Sequence, residues 1–176
     1  MAQEQDATLA GLKVAIQMEI DGKQFYLEAS RASRNELGSK LLKDLAAEED
    51  IHREVFQKIY DNIKRKKSWP DISYKSDGGQ KLRTVFAAAL EKMDKAVSSL
   101  PAELDAVETA MELENKTFDY YRDRSSRATF EAEKQLYEAL AAQESEHHRV
   151  LLDYYEFLKD PAQWYVKAEH TSVDGG

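Results

Sequence analysis

The chain of 176 residues contains no cysteine. That excludes disulfides, thiolate metal sites, iron–sulfur ligation and thiol nucleophiles. Only seven glycines and three prolines interrupt it. With Ala, Leu, Glu and Lys abundant, that scarcity points to helices. No apolar run approaches the ~20 residues that span a bilayer, so nothing in the sequence predicts a membrane helix. The opening Met-Ala-Gln-Glu-Gln-Asp lacks the basic-then-apolar pattern of a secretion signal, and the cytoplasm is the expected compartment. An excess of positive charge is missing too. The net charge is −8, with acids and bases interspersed, which argues against nucleic acid or an anionic membrane as partner. The one basic cluster, Lys64–Arg65–Lys66–Lys67, falls at an expected helix C-terminus, where cations complement the dipole.

What the chain does have is a pair of Glu-x-x-His motifs, Glu49–His52 and Glu144–His147, 95 residues apart. From the abundance of Glu and His, roughly 0.4 such matches are expected by chance, so one alone would say little. Each has a further glutamate 30 residues upstream, Glu19 and Glu114, again 95 apart. Positions i and i+3 share a helix face, so each Glu–His pair can aim at one target. The same shift pairs Ala15 with Ala110, Tyr26 with Tyr121, Ser30 with Ser125 and Leu41 with Leu136. It also pairs Leu45–Ala46–Ala47 with Leu140–Ala141–Ala142, Val55 with Val150, Tyr60 with Tyr155 and Trp69 with Trp164. No gap is needed from Ala7 to Trp69, so a helical hairpin is duplicated within the chain.

The expected elements follow. A first helix starts near Asp6 or Thr8, with Leu9, Leu12, Ile16, Glu19, Ile20 and Lys23 on one stripe. After a turn near Ser33–Gly38, a second helix runs from about Glu36 to Lys66. It carries Leu41, Leu45, Glu49, His52, Phe56 and Ile59 on one face. A polar loop with Trp69–Pro70 and Gly78–Gly79 leads to a short helix, roughly Gln80–Val97, with Leu82, Val85, Phe86, Leu90 and Met93 as its apolar face. Pro101 suits the first turn of a third long helix reaching Arg127. A fourth runs from Phe130 to Lys159 and is ended by Pro161. Residues 1–164 are expected to form one domain and 165–176 a disordered tail. The midpoint of Glu19 and Glu49 is Arg34, and that of Glu114 and Glu144 is Thr129. Both fall in expected turns, so each hairpin sets its two glutamates at one depth.

Acids and histidines on apolar stripes are costly unless paired or bound to metal. One Glu from each of two helices and a Glu-x-x-His from each of two others is the donor set of a two-metal carboxylate site. Glu19 and His52 are assigned to one metal, Glu114 and His147 to the other, and Glu49 and Glu144 as bridges. The N and O donors suit iron or manganese, with zinc compatible. Six ligands on two metals leave positions open to oxygen or peroxide. Tyr26 and Tyr121, two turns beyond Glu19 and Glu114, are placed to hydrogen-bond to ligands. His148 points about 100° from His147 and is not expected to ligate. Glu48, Glu112 and Glu146 are expected to be solvated, and His170 lies in the tail. Trp69 and Trp164 are expected to pack at helix ends.

These residues, in this order and with a long connection between the second and third bundle helices, resemble the ferritin-like superfamily, and most closely the rubrerythrin family. The resemblance implies an all-α, ferritin-like four-helix bundle made of two duplicated hairpins, the long connection carrying a short extra helix. It further implies a non-haem di-iron centre with two iron ions as cofactor, and reduction of hydrogen peroxide in the defence against oxidative stress. It suggests a homodimer. Rubrerythrins commonly carry a four-cysteine rubredoxin domain; without cysteine, this chain would draw electrons from a separate donor protein. They also carry a further glutamate three positions after the third-helix ligand, where this chain has Thr117. Iron binding, ferroxidase activity and storage form the alternative reading, which would require a hollow shell of many subunits.

Overall fold

The computed structural model describes residues 2–66, 69, 70, 74, 80–90 and 101–166. They form five helices: α1 (Ala2–Ala32), α2 (Glu36–Lys66), α3 (Gln80–Leu90), α4 (Pro101–Ser126) and α5 (Glu131–Lys159). There is no strand among the described residues. In α1 the buried residues other than Gly11 are Thr8, Leu12, Ala15, Glu19, Tyr26 and Ser30, spaced three, four or seven apart as one helix face requires. The face differs from the expected one at Ile20, which is 39% exposed. Its neighbour Glu19, fully buried, takes the inward direction, and a residue 100° further round cannot share it. The expected face of α2 is buried throughout.

α1 starts at Ala2, ahead of the expected Asp6 or Thr8. Neither of those side chains is needed as a cap, because the helix runs on through both. The turn into α2 is set by Asn35, whose Oδ1 accepts from the Leu37 N–H at 2.9 Å. Pro161 does not close the molecule's helical structure. Asp160 breaks α5, its Oδ1 accepts from the Gln163 N–H at 2.9 Å, and residues 161–166 form a further helical segment. A proline is tolerated there because the first helical N–H needs no partner. Of the expected tail, 165–176, Tyr165 and Val166 belong to that segment, while 167 onward, with His170, lies outside the described residues, as do Lys67, Gly78–Gly79, Met93 and the rest of the short helix beyond Leu90.

α1 packs along α2 and α4 along α5, each as an antiparallel hairpin. The two hairpins then face each other. Tyr120 reaches the Gly11 carbonyl, Tyr26 reaches Glu114, and Ser33 reaches Glu103, so α1 and α4 run antiparallel. The connection from α2 to α4 must therefore travel the length of the bundle, and α3 lies on it. Leu82 and Phe86 of α3 are buried, with Phe86 edge-on to Tyr154 and Trp164. Trp69 lies beside Phe130 at the other end, the two rings tilted by 31° with centroids 6.4 Å apart. The apolar interior forms two separate clusters. One contains Leu41, Leu45, Val107 and Phe157, the other Leu12, Phe56, Tyr121 and Leu140. The six donor side chains lie between them in the sequence of every long helix. Among the described residues no helix is long and apolar enough to cross a membrane.

Candidate metal centre

α1 contributes Glu19, α2 Glu49 and His52, α4 Glu114, and α5 Glu144 and His147. All six are between 0 and 4% exposed. Two groups of potential ligand atoms emerge: Glu19, Glu49, His52 and Glu144, and Glu49, Glu114, Glu144 and His147. Within each, the atoms lie within 4.8 Å of one another. Glu49 and Glu144 belong to both groups. The histidine rings are stacked, 5.7 Å between centroids and 11° between planes.

Both rings turn Nδ1 toward the carboxylates. His52 Nδ1 is 3.2 Å from Glu144 Oε1 and 3.6 Å from Glu19 Oε2. His147 Nδ1 is 3.5 Å from Glu144 Oε2, 3.4 Å from Glu49 Oε1 and 3.4 Å from Glu114 Oε2. The two oxygens of Glu144 thus divide between the two histidines. Despite their proximity, these atoms are not aligned as hydrogen bonds. Glu19 Oε2, Glu49 Oε1, both Glu144 oxygens and all four imidazole nitrogens are buried without a hydrogen-bond partner. Donors held ~2.1 Å from a common ion stand roughly 3.0–3.4 Å apart. The spacing observed here is close to that, and orphaned buried donors cost several kcal/mol unless something completes them. The site therefore fits a metal ion by donor type, separation and unmet bonding.

The electrostatics agree. Burial pushes the Glu49 carboxyl up, and the charges of Glu19 and Glu144 push it further. Glu114 is raised by burial although His147 pulls against it. Burial alone would lower both imidazoles. The surrounding glutamates, Glu19 and Glu144 at His52 and Glu114, Glu144 and Glu49 at His147, together outweigh it and hold both well above the usual histidine range. Glu144 is opposed by burial, yet its contacts with His147 and His52 hold it well below the usual carboxylate range. Without cations, protons are what keep so many acids in one place; divalent ions would do the same.

The tyrosines pair crosswise. Tyr121 of α4 donates to Glu19 Oε1 of α1, and Tyr26 of α1 donates to Glu114 Oε1 of α4. Burial raises both phenols, and the adjacent glutamates raise them further, so they stay protonated donors. Each fixes one oxygen of its glutamate while the other faces a histidine. Tyr74, a loop residue that no sequence pattern singled out, sits edge-on to His52 at 5.8 Å.

Among neighbouring polar residues, His148 is half-buried and outside both groups. Glu112 is exposed, and Glu146 pairs with Arg83 and Arg149. Glu48 departs from expectation: it is 8% exposed and its Oε2 accepts from Gln143 Nε2 at 3.2 Å. Gln143 is its counterpart under the 95-residue shift, so the two meet where the duplicated halves face each other.

The family model described as Rubrerythrin matches residues 11–101, just over half the chain. The match includes Glu19, Glu49 and His52; the other three donors lie beyond it and are joined to it by the internal repeat. No curated protein and no solved structure matches the chain.

Proposed function

The chain belongs to the rubrerythrin family, and on that premise we propose that its six converging side chains hold two iron ions for the reduction of hydrogen peroxide, or of oxygen, with electrons from a separate donor protein. Glu19 and His52 serve one ion and Glu114 and His147 the other, with Glu49 and Glu144 shared. The observation that carries this reading is the overlap of two four-residue donor groups through those two glutamates. The division of the Glu144 oxygens between the histidines supports its role as a bridge. Iron rests on the family; manganese and zinc accept the same donors.

When bound, two ferrous ions would supply the two electrons for H2O2 + 2H+ + 2e− → 2H2O, and the donor protein would return them. The rest is work for the chain. Tyr121 and Tyr26 hold Glu19 and Glu114 by one oxygen each and leave the other free to ligate. The histidines present Nδ1 inward. The apolar clusters on either side keep bulk water from the carboxylates.

Stopped-flow oxidation of the diferrous protein tests the reading: peroxide should oxidise it faster than oxygen, and equal or negligible rates would count against it. Size exclusion separates peroxide reduction from storage. The homodimer that family membership suggests fits the former; a shell of many subunits would favour the latter.

A further inference from the structure

One cavity reaches the candidate centre. It lies in the seam between α1 and α4, where the two hairpins meet, and has a volume of about 70 Å3. Its walls hold three pairs related by the 95-residue shift, Met18 and Leu113, Asp21 and Lys116, and Gly22 and Thr117, one member of each on either helix. Asp21 and Lys116 are exposed and mark the mouth. Glu49, Glu114 and Glu144 form the inner end. Glu49 Oε1 and both Glu144 oxygens are buried without a hydrogen-bond partner, so the cavity leads to atoms whose bonding is unmet.

We propose that this seam cavity is the port by which a small uncharged oxidant reaches the centre, and that Gly22 and Thr117 set its bore. The inference rests on the two-metal reading above and adds to it the size and charge of what enters. Size follows from volume: 70 Å3 takes a solute of a few heavy atoms, whereas drug-sized ligands need about 300 Å3 or more. Charge follows from the lining. One acid and one base at the mouth attract neither sign, so nothing at the entrance draws a charged solute inward. The bore follows from position. A Cβ added at Gly22 would stand 3.6 Å from Glu49 Oε2, an ordinary contact, so any larger side chain there must extend into the cavity. Thr117 occupies the opposite wall, its hydroxyl donating to the Leu113 carbonyl at 3.1 Å and thereby held against its own helix.

Nitric oxide, an uncharged diatomic that binds ferrous iron, is the probe. Its association with the iron-loaded protein is followed by stopped-flow absorbance, alongside iron content and melting temperature of each sample. Gly22→Leu should slow association by about tenfold or more, since a single methylene in a fitted pocket discriminates on that scale. Iron content should be unchanged. Thr117→Leu fills the same space from the other wall and serves if the first variant folds poorly. Thr117→Ala widens the bore and should speed association, an opposite sign that a general loss of packing would not give. Unaltered association in both leucine variants with their iron in place overturns the port. Wild-type protein that takes up no iron overturns the metal reading itself, and the iron count tells the two failures apart.

Discussion

The two hairpins agree at the middle of the bundle and differ at its ends. At mid-height every residue of the candidate centre has its double: Glu19 and Glu114, Glu49 and Glu144, His52 and His147, Tyr26 and Tyr121. At one end Arg124 reaches Glu133 at 3.4 Å and lies 5.8 Å from the Tyr137 ring centroid. The counterparts of these three are Ala29, Gly38 and Leu42. At the other end Glu103 accepts from Tyr154 at 2.8 Å and from Ser33 at 2.5 Å, where the doubled positions hold Thr8, Ile59 and Ala128. A metal centre demands particular donors at particular depths. An end of a bundle must only fill its volume and satisfy what polar groups it buries, and many sets of side chains do that.

The largest test of that contrast is at the bridges. If the halves are equivalent, Glu49→Ala and Glu144→Ala should each abolish binding of both ions, while His52→Ala weakens chiefly one. Metal analysis of purified variants reads this out, and two ions retained in either glutamate variant would break the assignment. Next come the tyrosines. Tyr26→Phe and Tyr121→Phe should each reduce metal affinity by about 10–100-fold, the usual consequence of losing a ligand's hydrogen-bond partner. Chelator competition measures it. A large difference between the two would show that the halves are unequal at the centre.

Acidity should act chiefly on the middle. Glu49, Glu114, His52 and His147 bind protons more tightly in the fold than in a free chain. Each therefore makes the metal-free protein lose stability as pH rises through its range. Glu144, shifted the other way, is already ionised above pH 4.5 in either state. Metal replaces those protons, so the gain in melting temperature on adding metal should grow from pH 5 to pH 8. A gain that shrinks would sink this account. The smallest effects belong to the ends. A methyl at Gly38 would meet the fully buried Tyr154 hydroxyl, and one at Gly11 the Arg124 guanidinium, whose side chain is 17% exposed and can swing aside. Gly38→Ala should cost about 1–3 kcal/mol. Gly11→Ala should cost less, under about 1 kcal/mol, the better helix propensity offsetting part of the displacement of Arg124 from the buried Glu133, as judged by chemical denaturation.

The same contrast explains what could be read from the chain unaided. The bundle, its hairpins and the convergence of the six acids and histidines are legible because helices restrict spacing and the repeat states the same residue types twice. The midpoint rule located both turns. Ile20 was misplaced because hydrophobicity alone does not decide which of two adjacent residues points inward when the other is a buried acid. Glu48 was misplaced because its burial depends on Gln143 from the opposite hairpin. The Ser33–Glu103–Tyr154 network and the approach of Tyr74 to His52 join residues distant in the chain and carry no local signal. That Tyr26 serves Glu114 and Tyr121 serves Glu19 follows only once the hairpins are docked.

Those crossed tyrosines have a consequence for how the protein comes into being. Each half lends a hydroxyl to an acid of the other, so neither hairpin alone owns a finished cradle. Two identical hairpins in twofold array would build the same arrangement, but any residue on one lip would be imposed on the other. Covalent linkage lifts that obligation. With glycine on one lip and threonine on the other, a single polypeptide has an entrance that a strictly symmetric pair could not make.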